Sequence, residues 1–120
     1  MLEIYNCPSR ILGDANTLYK ILDELPVKIH MTKMTLPYVV FTPGNNKKDP
    51  GGWSGFVLIQ ESHISFHTFA KRRFVTIDIY SCKDFDSNIA ISYLKKAFRS
   101  DDIEYNIEAR GNRYPEENLE

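Results

Sequence analysis

The sequence predicts an α+β fold, a two-layer sandwich in which two helices lie on one face of an antiparallel sheet. Apolar residues recur at helical spacing in two separated stretches, Leu18 to Leu25 and Ala90 to Phe98. Between those stretches, apolar and polar residues alternate in the period of half-buried strands. The chain has 120 residues, 42% of them hydrophobic, which suits one domain (residues 1–120) built around one core.

The elements follow in order. Leu2 to Tyr5 reads as a short strand. Residues 8–14 read as a turn, with Asp14 as the N-cap of the first helix. Leu18, Ile21, Leu22 and Leu25 form that helix's apolar stripe, and Pro26 is expected to stop it. Residues 32–42 are rich in β-branched and aromatic side chains and read as a strand, in which Pro37 demands an edge or a bulge. Residues 43–52 form a polar loop. Residues 56–59 are a continuous apolar run, the pattern of a strand buried on both faces. Ile64 and Phe66 alternate with Ser65 and His67, and Lys71, Arg72 and Arg73 mark a hairpin tip.

In the next strand Val75, Ile77 and Ile79 fall on one face, and Thr76, Asp78, Tyr80 and Cys82 on the other. That second face is polar enough to be a candidate site or subunit contact. Ser87 is expected to cap the second helix, whose face is Ala90, Leu94, Ala97 and Phe98. Ile103, Tyr105 and Ile107 alternate as a last strand, and residues 113–120 form a loose polar tail.

Composition narrows the function. A net charge of -1 gives no general pull toward nucleic acid or an anionic membrane. A faint basic-aromatic string, Arg73-Phe74-Val75, fits a solvated hairpin tip better than an RNA-binding strand. Two cysteines, Cys7 and Cys82, do not make a disulfide framework. No apolar run approaches the roughly 20 residues that span a bilayer, and no signal-peptide pattern opens the chain. A cytoplasmic, reducing setting is the expectation. Neither metal-ligand spacing nor a glycine-rich phosphate loop is present, so no metal is expected.

Residues 53–82 concentrate serine, histidine, glutamate and cysteine on strands. Taken singly, each has a structural reading. Ser62 suits a turn, His63 and His67 suit structural roles, Glu61 suits a solvated position, and Cys82 suits a small buried site. Their order carries more. The string Glu61-Ser62-His63-Ile64-Ser65-Phe66-His67-Thr68 follows Ser54-Gly55 and precedes Asp78 and Cys82. Downstream come Tyr93-Leu94-Lys95-Lys96-Ala97-Phe98 and Arg110-Gly111. In these features the chain resembles the short, prokaryotic-type S-adenosylmethionine decarboxylases, best over residues 53–110.

The resemblance implies a self-processing proenzyme. The Ser62 hydroxyl would attack the Glu61 carbonyl and turn the peptide into an ester. Elimination would leave dehydroalanine, and loss of ammonia a pyruvoyl group derived from Ser62, with chains 1–61 and 62–120. The resemblance assigns His67 as the base for the elimination, Ser54 as its assistant, and Cys82 as the donor that returns a proton to the substrate. It also implies a homodimer of cleaved chain pairs with two sheets face to face. The small-molecule substrate would be S-adenosylmethionine, decarboxylated to the aminopropyl donor for spermidine synthesis. A pyruvoyl group serves there as the electron sink that pyridoxal phosphate provides elsewhere. A thiol, with an ordinary pKa of about 8.5, suits proton return, and imidazole suits the processing base.

The chain departs from the family pattern at Phe69, Ala70 and Lys71, where most members carry Trp-Pro-Glu, and at Lys83, where glycine is common. These changes concern substrate recognition. A related pyruvoyl decarboxylase of arginine or ornithine is therefore the alternative, and a non-processing homologue with a binding role the next. Ser62 and His67 are an odd number of residues apart, so a regular strand would place them on opposite faces. Ser62 is accordingly expected in a turn, bulge or strained link.

Overall fold

The computed structural model describes residues 1–43 and 51–108. Six strands form one antiparallel sheet: β1 Leu2–Tyr5, β2 Tyr38–Pro43, β3 Gly51–Ile59, β4 Ser62–Phe69, β5 Phe74–Ser81 and β6 Asp102–Tyr105. Their spatial order is β2-β3-β4-β5-β1-β6. The middle of the chain is thus a meander, and β1 is inserted between β5 and β6. The helices are α1 Ser9–Leu12, α2 Ala15–Lys28 and α3 Ser87–Phe98.

Period-2 alternation decides which side of the sheet the helices cover. Val57, Ile59, Ile64, Phe66, Val75 and Ile77 project to one face and are buried there with Leu18, Leu22, Leu25, Leu94 and Phe98 from α2 and α3. Each large side chain so buried stabilises the fold by about 1.5–3 kcal/mol. Gly55 allows the close approach of α2. A Cβ at this position would lie 3.0 Å from both Leu22 Cδ1 and Phe66 Cζ, and 2.9 Å from the Tyr38 carbonyl oxygen. The helices are joined by the Tyr93 hydroxyl, which donates to Glu24 Oε2 at 3.0 Å. Burial, followed by that carboxylate, pushes the Tyr93 phenol well above its ordinary pKa.

The end of β1 is tied to the β4–β5 turn. Cys7 N–H donates to the Arg73 carbonyl at 2.9 Å, and Arg73 Nε–H donates to the Cys7 carbonyl at 3.0 Å. Arg73 adopts a left-handed conformation to do this, with φ 59°. Burial pushes the Cys7 thiol up to about 11.

Several local expectations are corrected. Residues 8–14 contain the short helix α1 before Asp14, which does cap α2 by accepting from Asn16 N–H at 3.1 Å. Pro26 does not stop α2, which continues to Lys28. Its missing N–H removes one bond in the last turn, while its ring is buried in the core and its carbonyl accepts from Met31 N–H at 2.8 Å. Asp86, rather than Ser87, caps α3, accepting from Asn88 and Ile89 N–H.

Strand β2 begins only after Pro37 and lies at the sheet edge. Lys33 pairs with Ile59 and Tyr38 with Phe56, so residues 34–37 face only residues 57 and 58. Pro37 therefore marks both an edge and a bulge. Residues 56–59 are not buried on both faces: Val57 and Ile59 are buried, whereas Phe56 and Leu58 are 42% and 43% exposed. Helices cover only one side, and the run is apolar because the other side is apolar too. Ile107 lies beyond the end of β6. Most of the expected 43–52 loop and the whole 113–120 tail lie outside the described residues. Among the described residues, no helix is long and apolar enough to cross a membrane.

Candidate active site

The uncovered face and one end of the sheet hold the reactive side chains. The β3–β4 hairpin closes with Ile59 opposite Ser62 and turns through Gln60 and Glu61. Ser62 has φ 154°, in the region that favours glycine, at a cost of about 1–3 kcal/mol for a residue with a side chain. Its Oγ lies 3.1 Å from Nδ1 of His63, its own neighbour in sequence. The His63 ring stacks on Tyr80 across the strand pair, with centroids 5.6 Å apart.

The bond before Ser62 is held as well. The Glu61 carbonyl oxygen accepts from Cys82 N–H at 3.0 Å, just past the end of β5. The Glu61 side chain is 8% exposed, and its Oε1 is buried with no hydrogen-bond partner among the described residues. A buried acceptor without a donor is costly, and a ligand or partner donor would relieve it. Cys82 itself is exposed.

The second cluster sits at the other end of β4. Ser54 and His67 are register partners across β3 and β4, and Ser54 Oγ lies 2.7 Å from His67 Nδ1. Regular pairing brings them together without strain. Ser62 and His67 are five positions apart, about 16 Å along a strand. Within one chain the structure thus joins Ser54 to His67, Ser62 to His63, and the Glu61 carbonyl to the Cys82 N–H, but it does not bring His67 to Ser62. The odd spacing led only to the expectation of a turn, bulge or strained link at Ser62, and Ser62 does have a positive φ; the separation of Ser62 from His67 along β4 was not foreseen.

A cavity of about 370 Å³ opens beside the Ser62 end, lined in part by His63, Asp78, Tyr80, Ser81, Phe85 and Tyr105. Ser81 is the register partner of Ser62. The sequence reading singled out Asp78 but not Phe85 or Tyr105. Nothing in their local pattern marks them, because Phe85 lies in the link before α3 and Tyr105 ends β6, and only the folded chain brings both to one cavity. The contact between Ser62 and His63 was missed for a different reason. Adjacent strand residues point to opposite faces, and only the positive φ at Ser62 defeats that rule.

Residues 1–111 match the family model described as S-adenosylmethionine decarboxylase. The chain belongs to the S-adenosylmethionine decarboxylase family. A Bacillus velezensis S-adenosylmethionine decarboxylase proenzyme is 43% identical over 106 residues, 88% of this chain and 78% of that one. The S-adenosylmethionine decarboxylase proenzyme of Picrophilus torridus is 29% identical over 96% of this chain and 84% of its own length. The crystal structure of the adenosylmethionine decarboxylase from Aquifex aeolicus shares the fold, with a TM-score of 0.69, 22% identity and 92% of each chain covered.

Proposed function

We propose that the chain is the proenzyme of a pyruvoyl-dependent carboxy-lyase that decarboxylates S-adenosylmethionine, producing the aminopropyl donor for spermidine synthesis. The observation that carries this reading is the geometry of the Glu61–Ser62 bond. A serine in a glycine-like conformation follows a carbonyl already held by the Cys82 N–H. Conversion of Ser62 fits that arrangement. The strained backbone favours rearrangement, and the N–H donor faces the oxygen where charge develops during attack. The products would be chains 1–61 and 62–120.

A pyruvoyl group at position 62 supplies the electron sink for the pair released as carbon dioxide leaves. The chain's own residues do the rest. The neighbouring cavity holds Tyr80, Phe85 and Tyr105, aromatic surfaces suited to a purine, and the Asp78 carboxylate, suited to a cationic centre. The exposed Cys82 Sγ, one residue beyond the register partner of Ser62, returns a proton to the substrate carbon. His67, oriented through its Nδ1 by Ser54, is the base for the elimination that completes processing.

His67 must then come from a second copy. Tyr38, Val40, Phe56 and Leu58 form an exposed apolar region on the uncovered face, which suits packing against another sheet. A two-fold axis crossing β4 near Ser65 would lay each copy's Ser54–His67 pair over the other's Ser62. This is the homodimer expected from the resemblance.

Intact mass under denaturing conditions, beside a Ser62→Ala control, tests the reading. Wild type is expected to give two fragments, the second beginning with pyruvoyl in place of Ser62. Carbon dioxide release is then measured with S-adenosylmethionine, arginine and ornithine, with the first expected to turn over. A single uncleaved wild-type chain after long incubation would sink the proposal.

A further inference from the structure

We propose that His63 is the catalytic base of the first processing step, the shift of the Glu61 acyl group from nitrogen to oxygen. This inference rests on the self-processing reading above and divides that reaction between two histidines.

Three observations place His63 there. Its Nδ1 is 3.1 Å from Ser62 Oγ, within reach for direct proton transfer. The Tyr80 stack fixes the plane and direction of the ring, with the two planes 23° apart. His67, the other histidine on β4, has its Nδ1 engaged by Ser54 Oγ and lies about 16 Å along the strand from Ser62 in the same chain. The strained φ at Ser62 turns the hydroxyl toward a residue that strand geometry would otherwise keep on the opposite face.

The step balances without any other reagent. With its own proton on Nε2, His63 accepts the Ser62 hydroxyl proton at Nδ1. Ser62 Oγ forms a bond to the Glu61 carbonyl carbon, and the developing oxyanion stays on the Cys82 N–H. The bond from that carbon to Ser62 nitrogen breaks, and the imidazolium returns the proton to this nitrogen. The product is an ester isomer of the starting chain, with a free amine on Ser62. The elimination that follows removes a different proton, from Cα of Ser62, and belongs to a second copy's His67. A single chain therefore carries the complete set for the first step and lacks the base for the second.

The test compares wild type, His63→Ala, His63→Phe and His67→Ala, each followed by intact mass with and without hydroxylamine, which cuts esters but spares ordinary peptide bonds. The His67→Ala chain is expected to accumulate ester and to be cut by hydroxylamine between residues 61 and 62. The His63→Ala chain is expected to remain whole in both conditions, with cleavage slowed about 100-fold, the lower range for loss of a positioned base. Added imidazole is expected to restore its cleavage. His63→Phe keeps an aromatic ring against Tyr80, so its thermal melt should match wild type while its cleavage falls as in His63→Ala. If His63 were only structural, His63→Phe would cleave normally. Wild-type rates in either His63 variant, or a hydroxylamine-sensitive ester in His63→Ala, overturn the role of His63 alone. A wild-type chain intact with and without hydroxylamine overturns both this inference and the self-processing reading.

Discussion

The two ends of β4 carry the same pair of groups, a serine hydroxyl against a histidine Nδ1, assembled by opposite means. At one end Ser54 and His67 face each other across a regular ladder at 2.7 Å. At the other end Ser62 and His63 are consecutive residues at the start of β4, with Ser62 Oγ 3.1 Å from His63 Nδ1 and Ser62 at φ 154°. The first pair is relaxed and exposed, so it can serve another molecule. In the proposed processing the second pair supplies the serine that rearranges the Glu61–Ser62 bond, so strain would mark the reacting group and regular pairing the tool.

The largest test of that contrast is complementation. Ser62→Ala and His67→Ala chains, each unable to complete pyruvoyl formation alone, are mixed and refolded together. Sites combining an intact Ser62 with the other copy's His67 are expected to recover cleavage from a background at least about 100-fold lower. No recovery on mixing would place both groups within one chain.

The cysteines give a test of intermediate size, because Cys82 belongs to the Ser62 end and Cys7 to the turn beyond His67. Cys7 is fully buried, with its thiol pushed up to about 11, whereas Cys82 is exposed. A disulfide reagent at pH 8 is expected to label Cys82 at least about 100-fold faster than Cys7, since burial both raises the Cys7 thiol and closes it to the reagent. Equal rates would mean that the Cys7 end opens readily.

The smallest effect reads the strain directly. Ser62→Gly is expected to be more stable than Ser62→Ala by about 1 kcal/mol in urea unfolding, because glycine accepts the backbone conformation at position 62. At position 54, in a regular strand, the same comparison should favour alanine. A lower urea midpoint for Ser62→Gly would remove the strain argument.

Much of the fold was legible because it depends on alternation. The stripe from Leu18 to Leu25, the Ala90-Leu94-Phe98 face and the Val75-Ile77 face all emerged as the core. The burial of residues 56–59 was misread because apolar side chains point both ways there, even though the predicted two-layer sandwich already left one face of the sheet without helices. The candidate site could be named from the sequence as a set of residues, but its arrangement could not. A turn centred on Gln60 and Glu61 makes Ser54 and His67 partners by simple register. A one-residue shift of that turn would separate them. The Cys82 N–H was invisible for another reason, since any non-proline residue there would present the same backbone group.

The position of β1 has a consequence for what remains after processing. Chain 1–61 would contribute β2 and β3 at one side of the sheet and β1 near the other, while chain 62–120 would contribute β4, β5 and β6. In the order β2-β3-β4-β5-β1-β6 the two pieces alternate and meet along three seams. Each piece would keep only a two-stranded ladder of its own, β2–β3 or β4–β5, and β1 would be clasped between two strands of the other. On the proposed cleavage, interleaving would replace the broken covalent link, and the fragments would be held as one particle that separates only by unfolding.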